Sequence, residues 1–416
     1  MRAVAGLVAL LALAWLLSED RRRVPWRAVA GGLVLQLGLA VVLTRFAPAA
    51  DAFALLNSAV DALQRATDAG TVFVFGYLGG GAAPFVQAHP EAGFILAFRA
   101  LPLVLVISAL AALGFYWGIL QRITQAFAWL LRRTMGISGP LALGAAVHIF
   151  VGMIEAPLLV RPYLARMQRG ELFALMTCGM AGIAGTVMAI YAAILDPVVP
   201  GALRSILTAS VISTPAALAV AALMVPFQPV PRDDARLVQP DRPASVMDAI
   251  VRGAGDGIGP LVNIVVMLLV AVALVALVDM ALALVPTSWL PHWLGPALTL
   301  QALFALPFTP VMWLIGIPWA QAGTAAALMA HKTVLNEFVA YLDLAHLPPG
   351  ALDARSRRIV TYALCGFANF GSLGIMIGGL GAMVPERRPE VVALGLRSIL
   401  SGTIATCMSG ALAGLL

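Results

Sequence analysis

Charge is scarce in this sequence. Asp, Glu, Lys and Arg make up 11% of its 416 residues, while 61% are hydrophobic. A water-soluble fold of this length needs far more polar surface, so lipid contact on most faces is implied, through many apolar helices of about 20 residues each. Cysteine is almost absent. Cys178, Cys365 and Cys407 lie inside apolar stretches with no metal-ligand spacing, so they read as buried packing residues and imply no disulfide framework. No His-Glu-x-x-His, Gly-x-Ser-x-Gly or Walker A sequence occurs. The common soluble-enzyme signatures are therefore missing, and no catalytic residue, metal site or cofactor is expected. Gly79-Gly80-Gly81 precedes no helix carrying Lys-Ser/Thr and reads as a turn rather than a phosphate loop.

The net charge is +6, yet the arginines are scattered through short loops and form no stripe with interleaved aromatics. Nucleic acid is thus not an expected partner; the pattern is that of cytoplasmic loops obeying the positive-inside rule. Residues 3 to 17 form a short apolar run followed at once by Arg21, Arg22, Arg23 and Arg27. Read as a first span with its N-terminus outside, the run places this cluster in the cytoplasm. A cleaved signal would place it outside, against the charge rule.

Along the chain, Trp26 to Leu43 reads as a second span. In residues 51 to 69, Phe53, Leu56, Val60 and Leu63 recur at helical spacing among charged residues, as in an amphipathic helix at the membrane interface. Further spans are read over 93–113, 172–195, 203–225, 257–285, 359–381 and 391–414. A polar linker is read over 226–243, and Arg355, Arg357 and Arg358 mark a loop. The stretch 138–170 is apolar but broken by Gly144, Gly152 and Pro157, with Glu155 and Arg161 near the break. Too short for two crossings, it reads as a re-entrant hairpin. The stretch 301–342 repeats the pattern, interrupted by Pro307, Pro310 and Pro318 and carrying His331-Lys332 and Asn336-Glu337.

The two halves therefore carry the same motif, a broken hairpin with a glutamate followed by a helix rich in small residues. Glu155 stands as far before Val187 as Glu337 does before Asn369, 32 residues in each case. Interrupted segments at matching places in two halves point to a transporter site near mid-membrane, where irregular backbone is buried in protein or lines water. A carboxylate at that depth is costly unless paired or functional. Glu155 and Glu337 are thus candidate acceptors for substrate hydroxyl or N–H groups; the alternative is a structural ion pair with Arg161 or Lys332. Asn369 and Ser372, three apart, share one helix face beside Phe367 and suit a polyhydroxylated ligand with a flat ring. Equally, Gly, Ser and Asn serve as helix–helix glue, and Gly374/Gly378 fit a GxxxG contact. Of the five histidines, His89, His292 and His346 lie near loops, while His148 lies in the first hairpin. It is either a satisfied buried histidine or a proton carrier.

At these blocks the sequence resembles the concentrative nucleoside transporter family. The likeness runs from Gly70-Thr71-Val72-Phe73-Val74-Phe75-Gly76 to the C-terminus. It is densest at 149–191 (Glu171-Leu172-Phe173-Ala174, Met188-Ala189-Ile190-Tyr191-Ala192), 253–278, 331–341 and Thr361 to Gly381 with Pro385-Glu386-Arg387-Arg388. The resemblance implies an all-α polytopic membrane protein. It would have about eight transmembrane helices, two opposed re-entrant hairpins, interfacial helices and an inverted-repeat transport domain. It also implies a multi-pass inner-membrane homotrimer that drives nucleoside uptake with a cation gradient as an elevator-type symporter, and not an enzyme. A passive channel and a carrier of free bases are the alternatives. The expected division is scaffold at 1–115, first transport half at 116–225, linker at 226–245, scaffold helix at 246–300 and second transport half with the final helix at 301–416.

By the same resemblance Glu337, Asn369 and Ser372 hold the ribose, Phe367 lies beside the sugar, and base contacts come from Glu155 and Val187. Sodium-coupled members read Gly-Gln-Thr-Glu where this chain has Gly152-Met153-Ile154-Glu155, so two polar base contacts become apolar at Met153 and Ile154. Their sodium site uses an Asn and a Ser side chain where this chain has His148 and Gly182; the carbonyls of Val151 and Ile183 remain. Hard Na⁺ needs oxygen ligands, so a proton is the expected coupling ion, with Na⁺ the alternative.

Overall fold

The computed structural model describes residues 2–86, 95–228, 243–285 and 298–416, and among these it is helical with no strand. Helices α1 (Arg2–Leu16) and α2 (Trp26–Arg45) open the chain. The expected interfacial segment is one long helix, α3 (Ala47–Phe75), ending in a 3-10 turn over Gly76–Gly79. The glycine run is therefore a turn, as read. The next span is bent: α4 (Leu96–Arg99) passes through Pro102 into α5 (Leu103–Tyr116). Residues 93 and 94, His89, His292 and most of the expected linker at 226–243 lie outside the described residues.

Helix α6 (Ile119–Met135) has no counterpart among the expected spans. Thr124, Ala128, Leu131 and Met135 form its buried face, while Arg122 and Arg133 are exposed. Such an amphipathic helix is neither a clean apolar run nor a polar loop, which is why a search for apolar runs passes over it. The first hairpin follows as α7 (Gly139–Val147), α8 (Glu155–Leu159) and α9 (Arg161–Leu164). The Ser138 hydroxyl accepts from the Leu141 N–H at 3.4 Å and Pro140 sits in the first turn, so the start of α7 is defined by its cap.

The expected helix over 172–195 is divided. It consists of α10 (Arg169–Ala181) and α11 (Gly185–Leu195), with an unwound link at 182–184. Helix α12 (Ala202–Met224) and the long α13 (Val246–Leu282) are continuous. The second broken stretch also differs from expectation. Pro307 and Pro310 lie within α14 (Leu300–Leu314), and the chain breaks at Gly316 and Pro318 before α15 (Trp319–Val334). Proline is tolerated inside apolar helices whose neighbours re-satisfy the freed carbonyls, so these prolines do not mark the hairpin. The hairpin itself is α15 followed by α16 (Glu337–His346).

Arg355, Arg357 and Arg358 lie in α17 (Ala354–Leu364) and not in a loop. Asp353 caps this helix, accepting from Ser356 N–H at 2.7 Å, and charge at a helix start is as compatible with sequence as a loop is. The span expected over 359–381 is likewise divided, into α17 and α18 (Phe370–Met383), around 365–369. Helix α19 (Arg388–Ala413) closes the chain.

Five of the described helical stretches are long and apolar enough to cross a membrane, Trp26–Arg45, Leu96–Tyr116, Ala202–Met224, Val246–Leu282 and Pro385–Ala413. Their burial differs sharply: 89% of the apolar window of α12 and 72% of that of α19 is buried, against 6% for α13. The core therefore surrounds α12 and α19, and α13 presents an apolar surface. Packing is reciprocal between the halves. Helix α10 packs on α19 as α17 packs on α12, and α7 meets α10 as α15 meets α17. Likewise α11 lies on α12 as α18 lies on α19. Reciprocity of this kind is what two structural repeats related by a pseudo-two-fold axis produce. Helices α1 and α2 pack on the α12 and α19 core, whereas α5 pairs with α13.

Candidate functional site

Four helices start after interruptions in the two halves: α8 at Glu155, α11 at Gly185, α16 at Glu337 and α18 at Phe370. Each follows a break in regular structure, and each leaves N–H groups without helical carbonyl partners. Hairpin breaks and unwound links meet one another. The Phe150 carbonyl oxygen stands 2.9 Å from where a Cβ on Gly185 would be, so the tip of the first hairpin abuts the start of α11. The two unwound links also meet, for Phe367 N–H donates to the Gly182 carbonyl at 3.3 Å.

Glu337 is 4% exposed and is the first residue of α16, whose N-cap is Asn336; the Asn336 amide oxygen accepts from Val339 N–H at 3.0 Å. A carboxylate in this position is favoured by the helix dipole. Tyr191 of α11 donates its hydroxyl to Glu337 Oε1 at 2.7 Å, and Asn369 Nδ2 donates to Oε2 at 3.0 Å. Charge-assisted hydrogen bonds to both oxygens replace the water a buried carboxylate loses. Lys332 is not the partner. It is fully buried and its Nζ donates to the Ala363 carbonyl at 2.9 Å and to Thr406 Oγ1 at 3.1 Å.

Asn369 and Ser372 are neighbours, as their spacing implies, but Asn369 stands just before the helix and not on its face. Asn369 is the N-cap of α18, and its Oδ1 accepts from the Ser372 backbone N–H at 2.7 Å. Both ends of one amide are therefore engaged, the oxygen by the cap and the nitrogen by Glu337. An aspartate would cap equally well but would set a second carboxylate against Glu337. Ser372 is buried, and Phe367 is half-buried beside the link.

The expected base-side residues are held mainly by packing. Met153 is buried, its Cβ 3.3 Å from where a Cβ on Gly179 would be; Ile154 packs on Gly379 of α18, and Val187 is buried on α11. Glu155 is exposed and folds back over Gly152, its carboxylate lying where a Cβ on Gly152 would reach. No ion pair joins it to Arg161 among the described residues. The apolar character of Met153 and Ile154 is thus used in packing against α10 and α18.

His148 is 4% exposed, its Cε1 3.3 Å from a Cβ position on Gly179. Its Nε2 has no hydrogen-bond partner among the described residues. Gly182 ends α10 and its carbonyl accepts from Phe367, while Ile183 is fully buried and Val151 half-buried. Groups of three or more His, Cys, Asp or Glu able to hold a metal are absent among the described residues.

Sequence reasoning assigned no role to Tyr191. A signal was present: Tyr191 is four residues past Val187 and therefore on the same face of α11. Its ring also packs between Phe338 at 5.9 Å and Tyr341 at 5.1 Å, which positions the hydroxyl on Glu337.

Three family models match the chain in succession. They are the Na+ dependent nucleoside transporter N-terminus over residues 5–78, nucleoside recognition over 97–198 and the Na+ dependent nucleoside transporter C-terminus over 205–414. A transporter of Haemophilus influenzae is 37% identical over 428 residues, covering 100% of this chain and 97% of its own length. Solute carrier family 28 member 3 of Rattus norvegicus is 36% identical, covering 99% of this chain but only 58% of that longer protein. The structure of CNTnw in an inward-facing substrate-bound state superposes with a TM-score of 0.88 at 34% identity, covering 100% of this chain and 98% of that one. With family models, relatives and fold agreeing over nearly its whole length, this chain belongs to the concentrative nucleoside transporter family.

Proposed function

We propose that the protein carries nucleosides inward across the inner membrane as a cation-coupled, elevator-type symporter, with a proton as the coupling ion. The observation that carries this reading is the buried Glu337 carboxylate, held by Tyr191 and Asn369 at the meeting of the helix breaks. A buried carboxylate with lone pairs left on both oxygens, at helix starts whose first N–H groups lack helical carbonyl partners, suits vicinal hydroxyls that both donate and accept. Ser372 and Phe367 complete the ribose side, and Glu155, Val187, Met153 and Ile154 face the base. No chemistry on the nucleoside is proposed, and no nucleic acid or cofactor takes part.

The coupling site is His148 with Val151, Gly182 and Ile183. The imidazole Nε2 is open to a proton, and there is no side-chain oxygen at 182 to help hold Na⁺, which supports a proton over Na⁺. The reciprocal core around α12 and α19 is the moving body, and the α5–α13 pair is the scaffold against which it slides; α1 and α2, expected in the scaffold with the rest of 1–115, pack on the core. The exposed apolar length of α13 supports a homotrimer built on this pair, with lipid over the remaining apolar surface.

Labelled nucleoside uptake into proteoliposomes with separately imposed H⁺ and Na⁺ gradients tests the proposal. Accumulation driven by H⁺ alone and abolished by a protonophore is expected. Accumulation that needs Na⁺ and ignores pH overturns the proton assignment and leaves a sodium-coupled symporter; equilibration without accumulation means a passive channel.

A further inference from the structure

Lys332 stands in the last turn of α15, on the same hairpin as Glu337, and is fully buried. An ammonium in that position is costly unless partners replace the water it loses. Its Nζ donates to the Ala363 carbonyl at 2.9 Å and to Thr406 Oγ1 at 3.1 Å. The Thr406 hydroxyl in turn donates to the Thr403 carbonyl at 3.1 Å, which leaves its lone pairs to the lysine.

Ala363 lies one residue before the end of α17. In an unbroken helix the Phe367 N–H would donate to its carbonyl, four residues back. That N–H donates to Gly182 instead. Lys332 Nζ therefore takes the carbonyl that the opening of the helix sets free, at the helix end where the dipole favours a cation. Without a donor, this buried carbonyl would draw the Phe367 N–H back and wind the link into helix. The second hairpin thus grips the 365–369 link at both ends, through Lys332 on Ala363 and through Glu337 on Asn369. Thr406 ties the same ammonium to α19. Its Cγ2 stands 2.9 Å from where a Cβ on Gly366 would be, so the anchor borders the link itself. The offset that pairs Glu337 with Glu155 pairs Lys332 with Phe150, so the anchor is particular to the second half.

We infer that Lys332 is a positioning residue of the nucleoside site: by holding the Ala363 carbonyl it keeps the 365–369 link unwound and so sets Phe367 and Asn369 at the sugar. The inference rests on the ribose reading above. Lys332 itself touches no substrate. It acts through Asn369, whose amide must at once cap α18 and donate to Glu337. Rewinding the link would carry that amide away from both partners. Losing Lys332 therefore weakens affinity, and it does so by weakening recognition of the ribose hydroxyls.

The test is equilibrium binding of adenosine and uridine, and of their 2′,3′-dideoxy counterparts, to the purified full-length protein, with Glu337→Gln as control. Lys332→Met keeps the side chain's bulk and removes its donors. It is expected to weaken nucleoside binding roughly tenfold and to shrink the preference over the dideoxy compounds, as Asn369→Ala does. Added to Asn369→Ala, it is expected to cost little more, because both changes remove one contact. Thr406→Val takes away one of the two acceptors and is expected to act in the same direction, less strongly. Its cycle with Asn369→Ala carries the test if Lys332→Met does not fold. Effects that multiply in the double variants, or a lowered melting temperature with the dideoxy preference unchanged, make Lys332 a packing residue and overturn the inference while Glu337→Gln still impairs binding. Nucleoside binding unaffected by Glu337→Gln would instead count against the ribose site on which the inference rests.

Discussion

Phe367 N–H donates to the carbonyl of Gly182 across 3.3 Å, so the two unwound links, one from each half of the chain, hold each other open. The residue beside this crossing is Gly366, at φ 156°, where a Cβ would stand 2.8 Å from the Met180 carbonyl oxygen and 2.9 Å from Thr406 Cγ2. Gly366→Ala is expected to cost at least about 1–3 kcal/mol in backbone conformation alone. A lowered melting temperature in detergent, with reduced uptake, checks it; an unchanged melting curve would mean that the crossing is soft.

Glu337→Gln, Asn369→Ala and Ser372→Ala are each expected to impair nucleoside uptake with normal membrane insertion. Losing a buried partner of a sugar hydroxyl costs about 1–3 kcal/mol, more when the partner is charged, which is about five- to 150-fold in apparent affinity. Tyr191→Phe removes one donor from Glu337 and is expected to fall at the lower end of that range. Survival of uptake in all of these variants would remove the ribose assignment.

Met153 and Ile154 stand where the proposed base contacts would be polar in sodium-coupled relatives. Met153→Gln with Ile154→Thr restores two polar groups and is expected to shift the order in which nucleosides compete for uptake. An unaltered competition profile in the double variant argues that these side chains only pack, against Gly179 and Gly379.

His148→Ala is expected to abolish gradient-driven accumulation while leaving nucleoside exchange measurable. In the unmodified protein, uptake is expected to rise as external pH falls and to persist when choline replaces sodium. Exchange and accumulation lost together would assign His148 to folding, and accumulation retained would leave Glu155 as the proton carrier.

Outside the membrane-spanning helices, Glu19 joins the α1–α2 loop to two later helices. Arg169 donates to it through Nη2 at 3.0 Å and Nε at 3.2 Å, and Arg397 donates to the same carboxylate. The Arg169 hydrogen bond, chiefly, holds the Glu19 carboxyl below its ordinary value, partly offset by burial. A depressed carboxylate contributes stability that is present above the ordinary glutamate range and lost as pH falls through the folded-state value. The melting temperature of Glu19→Gln is therefore expected to lie below wild type at neutral pH, with the gap closing under acid. The cluster is partly exposed, so the effect belongs to the range of about 0–1 kcal/mol. A gap that is constant with pH would assign it to packing.

The apolar runs and the existence of two interrupted stretches were legible in the sequence, because hydropathy and misplaced polar residues are local signals, although Pro307 and Pro310 lie within a helix and not at the second break. So was the family, from blocks of residues. Amphipathic α6 was not, since a helix with one wet face carries no long apolar run. The links at 182–184 and 365–369 were not legible either. A helix opens there because its freed groups find partners across the molecule, Gly182 in Phe367 and Asn369 in Glu337. Nor does spacing reveal that Lys332 turns away from Glu337 to the end of α17. Sequence by itself determined which segments are apolar and that two stretches at matching places are interrupted. Which broken end meets which was decided only by tertiary packing, because a buried polar group is satisfied by whatever donor the fold brings within about 3 Å of it.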